Sequence, residues 1–154
     1  MYFLTIVLLM FVFPIASVLT EFIFFRSNAE VVFLIGKWFV FWAVGVRLFL
    51  AGMRQSLNPR FTAEEIFGIK ADEPLIIVQE LGFANLSIGL LGIITIFNGL
   101  WIMPSAIAGC LFYGLAGIRH LTKKERNPFE RGAMLSDLFI FIVLIIYFFV
   151  AITD

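Results

Sequence analysis

Five stretches of this chain are apolar over about the 20 residues that a helix needs to cross the hydrocarbon of a bilayer, and that property limits what the chain can fold into. They run from Tyr2 to Phe25, Val31 to Met53, Leu75 to Leu100, Pro104 to Leu121 and Leu135 to Ile152. Lipid offers no water to bond a bare backbone, so each stretch must satisfy its own N–H and C=O groups, which a helix does. The expectation is an all-α, polytopic transmembrane helix bundle of five spans, with residues 1–154 as a single domain. Composition agrees: 62% of the residues are hydrophobic, 14% are charged, and the mean hydropathy is +1.04, so lipid takes the place of a soluble core. The formal net charge is zero, from 11 basic and 11 acidic residues, which gives no case for a nucleic-acid partner and makes the placement of charge the useful quantity.

The connections are legible in part. R-S-N-A-E, from Arg26 to Glu30, is a short polar turn, and Gly99 and Pro104 bracket a tight third junction. The long loop from Arg54 to Pro74 contains F-T-A-E-E-I, in which Thr62 and Glu65 have capping-box spacing and Phe61 and Ile66 form a hydrophobic staple. With Phe67 and Ile69 on its apolar side, this segment predicts a short interfacial helix between the second and third spans. Asn127, Pro128 and Glu130 mark a second helix start, so the last helix is expected to begin before the bilayer and to enter it near Leu135. The first stretch lacks a basic leader and a small-residue cleavage site, and reads as a retained helix. Cys110 is the single cysteine, which allows no intrachain disulfide and no C-x-x-C pair.

Polar residues inside the spans are the candidates for function. E-L-G-F-A-N-L-S-I-G-L-L-G, from Glu80 to Gly92, puts a carboxyl and an amide in an otherwise apolar run. At 1.5 Å per residue, Glu80 lies roughly 7 Å inside its span, Arg47 about 6 to 9 Å inside the same end of the second, and Asn85 roughly 15 Å in. A lone charge at the bilayer centre costs about 2.5 to 3.5 kcal/mol on insertion scales, so Glu80 and Arg47 are expected to pair. Gly82, Asn85, Gly89 and Gly92 share one face of the third span, and Ser105, Ala106, Gly109, Tyr113, Ala116 and His120 share one face of the fourth. These two small faces are expected to pack together, as small-residue stripes do in membranes. His120 is the only histidine, which excludes two-histidine haem ligation within one chain and any H-E-x-x-H pair. Asp137 lies two turns beyond Glu130 on the same helix face. Glu80, His120, Glu130 and Asp137 have no diagnostic metal-ligand spacing, and no metal site is assigned. Arg47, Glu80, Asn85, Tyr113, His120 and Asp137 are therefore expected to line a polar pocket between the third, fourth and fifth spans.

G-K-W-F-V-F-W-A-V-G-V-R, F-T-A-E-E-I-F-G-I, E-L-G-F-A-N-L-S-I-G, F-Y-G-L-A-G-I-R-H and E-R-N-P-F-E-R-G-A-M-L-S-D carry a resemblance to a small family of bacterial multi-spanning membrane proteins of unknown function. The resemblance covers nearly the whole chain and implies membrane location without an activity. More distantly, the G-I-R-H-L ending of the fourth span is similar to DoxX-like proteins, small four-helix membrane proteins some of which are associated with quinone or thiol redox chemistry.

No reaction or cofactor can be read from these residues. The favoured reading is an inner-membrane protein whose pocket near the cytoplasmic face binds a small, lipid-like or quinone-like molecule, with His120 and Asp137 exchanging protons at its mouth. The alternative is a non-enzymatic subunit or assembly factor, whose polar residues fix helix register while its outer faces dock a membrane-protein partner or a second copy. Orientation follows from the basic residues: Arg54, Arg60, Lys70, Arg119, Lys123, Lys124, Arg126 and Arg131 fall on one side, against Arg26 and Lys37 on the other. The expected topology has a cytoplasmic N-terminus and a far-side C-terminus. Reporter fusions at Met1 and Asp154 should report opposite compartments; the same compartment at both ends would remove the five-span topology.

Overall fold

A computed structural model describes residues 2–24, 30–68 and 75–153, and all regular structure among them is helical. Five helices are long and apolar enough to cross a membrane: Phe3–Phe24, Val31–Leu57, Leu75–Ile94, Gly99–Thr122 and Pro128–Thr153. They are called the first to fifth spans. A short helix, 59–66, follows the second span. Phe25, Arg26, most of the turn up to Glu30, and Ile69 and Lys70 lie outside the described residues.

Local chemistry sets the helix ends. The second span runs past Met53 to Leu57, where the N–H of Asn58 bonds the Arg54 carbonyl at 2.7 Å. Pro59 then opens the short helix from the position where its missing N–H costs nothing. Thr62 consequently falls inside that helix, buried, and the expected capping box does not form. The third span stops at Ile94, short of the expected Leu100. There the Thr95 hydroxyl donates to the Gly92 carbonyl at 2.6 Å, and the Asn98 side chain accepts from the N–H of Leu100 to start the tight turn into the fourth span. The fifth span begins as its sequence implies, with the Glu130 N–H donating to Asn127 Oδ1 at 2.8 Å and Pro128 in the first position.

The glycine stripe of the third span packs on the second span, which corrects the expected pairing with the fourth. The reason lies in Gly45 and Gly52, two turns apart on the second span, which make a matching small face. A Cβ at Gly45 would stand 2.7 Å from the carbonyl carbon of Gly92, and one at Gly52 would stand 2.6 Å from the carbonyl oxygen of Gly82. Backbone lies on backbone here, in the way small residues permit membrane helices to approach. On the small face of the fourth span Gly109 instead receives Val44, and beside that face Gly114 receives Phe141 and Gly117 receives Leu138. Met10, Val44, Ile140 and Leu144 fill the dry middle of the bundle.

At the end of the bundle away from the short helix, the first and second spans share a polar seam. Lys37 lies within the second span and donates to both carboxylate oxygens of Glu21, at 2.9 and 2.8 Å. The indole N–H of Trp38 donates to Glu21 at 2.7 Å, and that of Trp42 donates to Ser17 at 3.0 Å. These partly buried charges are satisfied within the protein, as a setting of reduced dielectric favours.

The tight seam predicts unequal responses to small changes. Gly92→Val should destabilise the detergent-purified protein by about 1 to 3 kcal/mol or more, because two backbones must separate. Gly99→Ala, whose Cβ would meet side-chain atoms no closer than 3.7 Å, should be neutral. Thermal unfolding followed by size-exclusion chromatography reads both.

Candidate functional site

A cavity of about 880 Å³ lies at the end of the bundle that carries the short helix. Its largest wall is the second span, from Arg47 and Leu48 through Ala51 to Arg54 and Gln55, positions that recur on one helix face. Leu81 and Asn85 come from the third span, Phe112, Arg119 and His120 from the fourth, and Glu130 and Asp137 from the fifth. The short helix closes one side with Phe61, Thr62 and Ile66. It is tethered there by Asn127, whose amide donates to the Glu65 carbonyl at 2.8 Å.

The deepest polar group is built on a widened turn. From Val40 to Val46 the second span is a π-helix, and the Arg47 N–H bonds the Trp42 carbonyl, one residue beyond the partner of a regular α-helix. The Ala43 carbonyl, the regular partner, accepts the hydroxyl of the fully buried Tyr113. Arg47 donates to that same hydroxyl at 3.3 Å and to Asp137 at 3.4 Å, with its guanidinium 5.4 Å from the centre of the tyrosine ring. The second, fourth and fifth spans are thus joined by one phenol, one guanidinium and one carboxylate.

Two further groups complete the wall. The Asn85 amide donates to Gln55 Oε1 at 2.7 Å, while Asn85 Oδ1, in a side chain only 2% exposed, has no hydrogen-bond partner. The Glu130 carboxylate is buried, accepts from Lys123 at 3.0 Å on each oxygen, and lies 3.3 Å from His120 Nδ1. Arg126 donates to the His120 and Leu121 carbonyls at 2.6 Å each, covering the exposed end of the fourth span.

Four of the six expected site residues, Arg47, Asn85, His120 and Asp137, line this cavity, and Tyr113 stands behind it bonded to Arg47. Glu80 does not join them: it is exposed on the third span, and the carboxylate set against Arg47 is Asp137. The glycine seam explains this. With Gly92 on Gly45 and Gly82 on Gln55 and Ser56, Glu80 is level with the end of the second span, roughly 15 Å along the axis from Arg47. The cavity also draws on the first span, and on more of the second than the expected Arg47. Gln55 was hidden by the early end assigned to the second span at Met53; its polar side chain two turns beyond Arg47 was the available signal. No group of three or more histidine, cysteine or acidic side chains suited to a metal occurs among the described residues.

Fold and site together define a multi-pass helical membrane protein with a charged, amide-lined cavity at one end. The chain belongs to a family of unknown function, DUF6790, whose model matches residues 1–153. No curated protein and no solved structure matches it.

Breaking the central pair should be costly and specific. Arg47→Met or Asp137→Leu alone is expected to lose about 3 to 5 kcal/mol, because each strands a buried charge. The double variant should lose less than the sum by about 0.5 to 3 kcal/mol, whereas Arg47→Met with Glu80→Gln should be additive within about 0.5 kcal/mol. Chemical unfolding in mild detergent measures both cycles.

Proposed function

We propose that this protein is a bacterial inner-membrane binding protein that holds a small or lipid-like molecule, polar head inward, in the cavity at its basic end. The observation that carries the reading is Asn85 Oδ1: a buried acceptor with no partner, on the wall of a cavity large enough for a ligand. An unmet acceptor in a low-dielectric site is costly, and a ligand hydroxyl or N–H offsets that cost. The volume falls within the range of about 300 to 1,000 Å³ common for small-molecule sites. The likeness to DoxX-like proteins adds quinone-like molecules to the candidates.

In this reading the basic end is the cytoplasmic one, from the loop asymmetry, and His120 stands beside Glu130 at the rim, while Asp137, its expected companion, is held by Arg47. Arg47, Tyr113 and Asp137 hold the inner wall rigid. Native mass spectrometry of the gently purified protein should show one retained molecule at near-stoichiometric occupancy. Asn85→Leu and His120→Leu variants should retain about tenfold less of it. Wild-type protein carrying only bulk lipid, or stable variants retaining as much, would leave the polar residues with the role of fixing helix register.

A further inference from the structure

The charges around the cavity do not cancel. Its wall holds four arginine and lysine side chains, Arg47, Arg54, Arg119 and Lys123, against two carboxylates, Glu130 and Asp137. Asp137 is taken by Arg47, and Glu130 by Lys123 and His120. Among the described residues, no carboxylate pairs with Arg54 or Arg119. Arg54 sits over the Phe61 ring, its guanidinium carbon 3.6 Å from the ring centre. A guanidinium held on an aromatic ring keeps its positive charge, and its planar fork of N–H donors can meet an oxyanion two at a time. The cavity therefore offers two positive groups that no described carboxylate pairs with and, beside them, the Asn85 side chain, whose buried Oδ1 has no hydrogen-bond partner. Leu48, Leu50, Leu81 and Phe112 supply an apolar surface alongside.

We propose that the occupant is an anionic amphiphile whose head carries both an oxyanion and a hydroxyl or N–H donor, the chemistry of a phosphoglycerol head group on an acyl tail. Arg54 and Arg119 take the oxyanion, Asn85 takes the donor, and the leucines with Phe112 take the start of the tail. This rests on the ligand-binding reading above and narrows it. A phosphocholine head keeps the oxyanion but has no N–H or O–H donor, and its trimethylammonium cancels the net charge and repels the two arginines.

Delipidated protein in a neutral detergent, titrated with lipids of identical acyl chains and read by native mass spectrometry, tests the proposal. Phosphatidylglycerol, phosphatidylmethanol and phosphatidylcholine separate charge from donor, because all three carry a phosphodiester, the first two have a net negative head, and only the first has hydroxyls. The expected order is phosphatidylglycerol, then phosphatidylmethanol, then phosphatidylcholine, each step about five- to tenfold in affinity. Asn85→Leu should erase the first step and keep the second. Arg54→Gln and Arg119→Gln, both at exposed positions, should shrink the second and keep the first. Equal one-to-one binding of all three lipids would overturn the head-group proposal and leave the cavity reading standing; no stoichiometric binding of any would overturn both. Free glycerol 3-phosphate competing as well as the lipid would overturn the amphiphile and point to a soluble phosphate compound.

Discussion

A guanidinium ten residues inside a membrane helix is the constraint on which the rest of this bundle depends. Arg47 stands about 15 Å from the end of the second span, where an unmatched positive charge is expensive and snorkelling is long. It is matched from two other helices, by Asp137 on the fifth span and the Tyr113 hydroxyl on the fourth. These bonds fix three helices in both height and rotation, which apolar contacts alone do loosely. Tyr113 is held in turn by the Ala43 carbonyl, so the backbone of the helix that carries the arginine also positions its partner.

Around that network the cavity walls follow from geometry. The third span is drawn onto the second by glycine on glycine, which sets Asn85 within reach of Gln55. The fourth and fifth spans are locked by Phe141 and Leu138 lodged against glycines, which brings His120, Lys123 and Glu130 together at the rim. The short helix then covers what the five spans leave open, tied by the Asn127 amide to the loop before the fifth. The cavity's polar groups thus belong to elements that meet at this end, while at the opposite seam Lys37 and Trp38 both donate to Glu21.

The spans were legible because hydropathy measures the property that lipid selects, and Asn127 with Pro128 announced a helix start through bonds local to the sequence. Four cavity residues were legible because polar side chains in apolar runs have few places to go. The pairing of Arg47 was misread because depth was counted from hydropathy, which ended the second span at Met53; the helix continues to Leu57, and that one turn moves Arg47 away from Glu80 and toward Asp137. The choice of neighbour for the glycine stripe was also hidden, since Gly45 and Gly52 declare themselves only when matched against Gly82 and Gly92. Such matching is a property of two helices in register, which a single run of sequence does not display.

The widened turn from Val40 to Val46 has a consequence for how this helix encodes its two charges. Lys37 faces the first span and Arg47 faces the fourth and fifth, with the wide turn between them. One residue more or less in that segment changes the phase of everything after it by about 100°, the angular step of a helix. Arg47 would then swing off Asp137 while Lys37 kept hold of Glu21, with every side chain unchanged. In this stretch the number of residues carries as much of the design as their identity, and a shift in length would act as a change of address for a whole helix face.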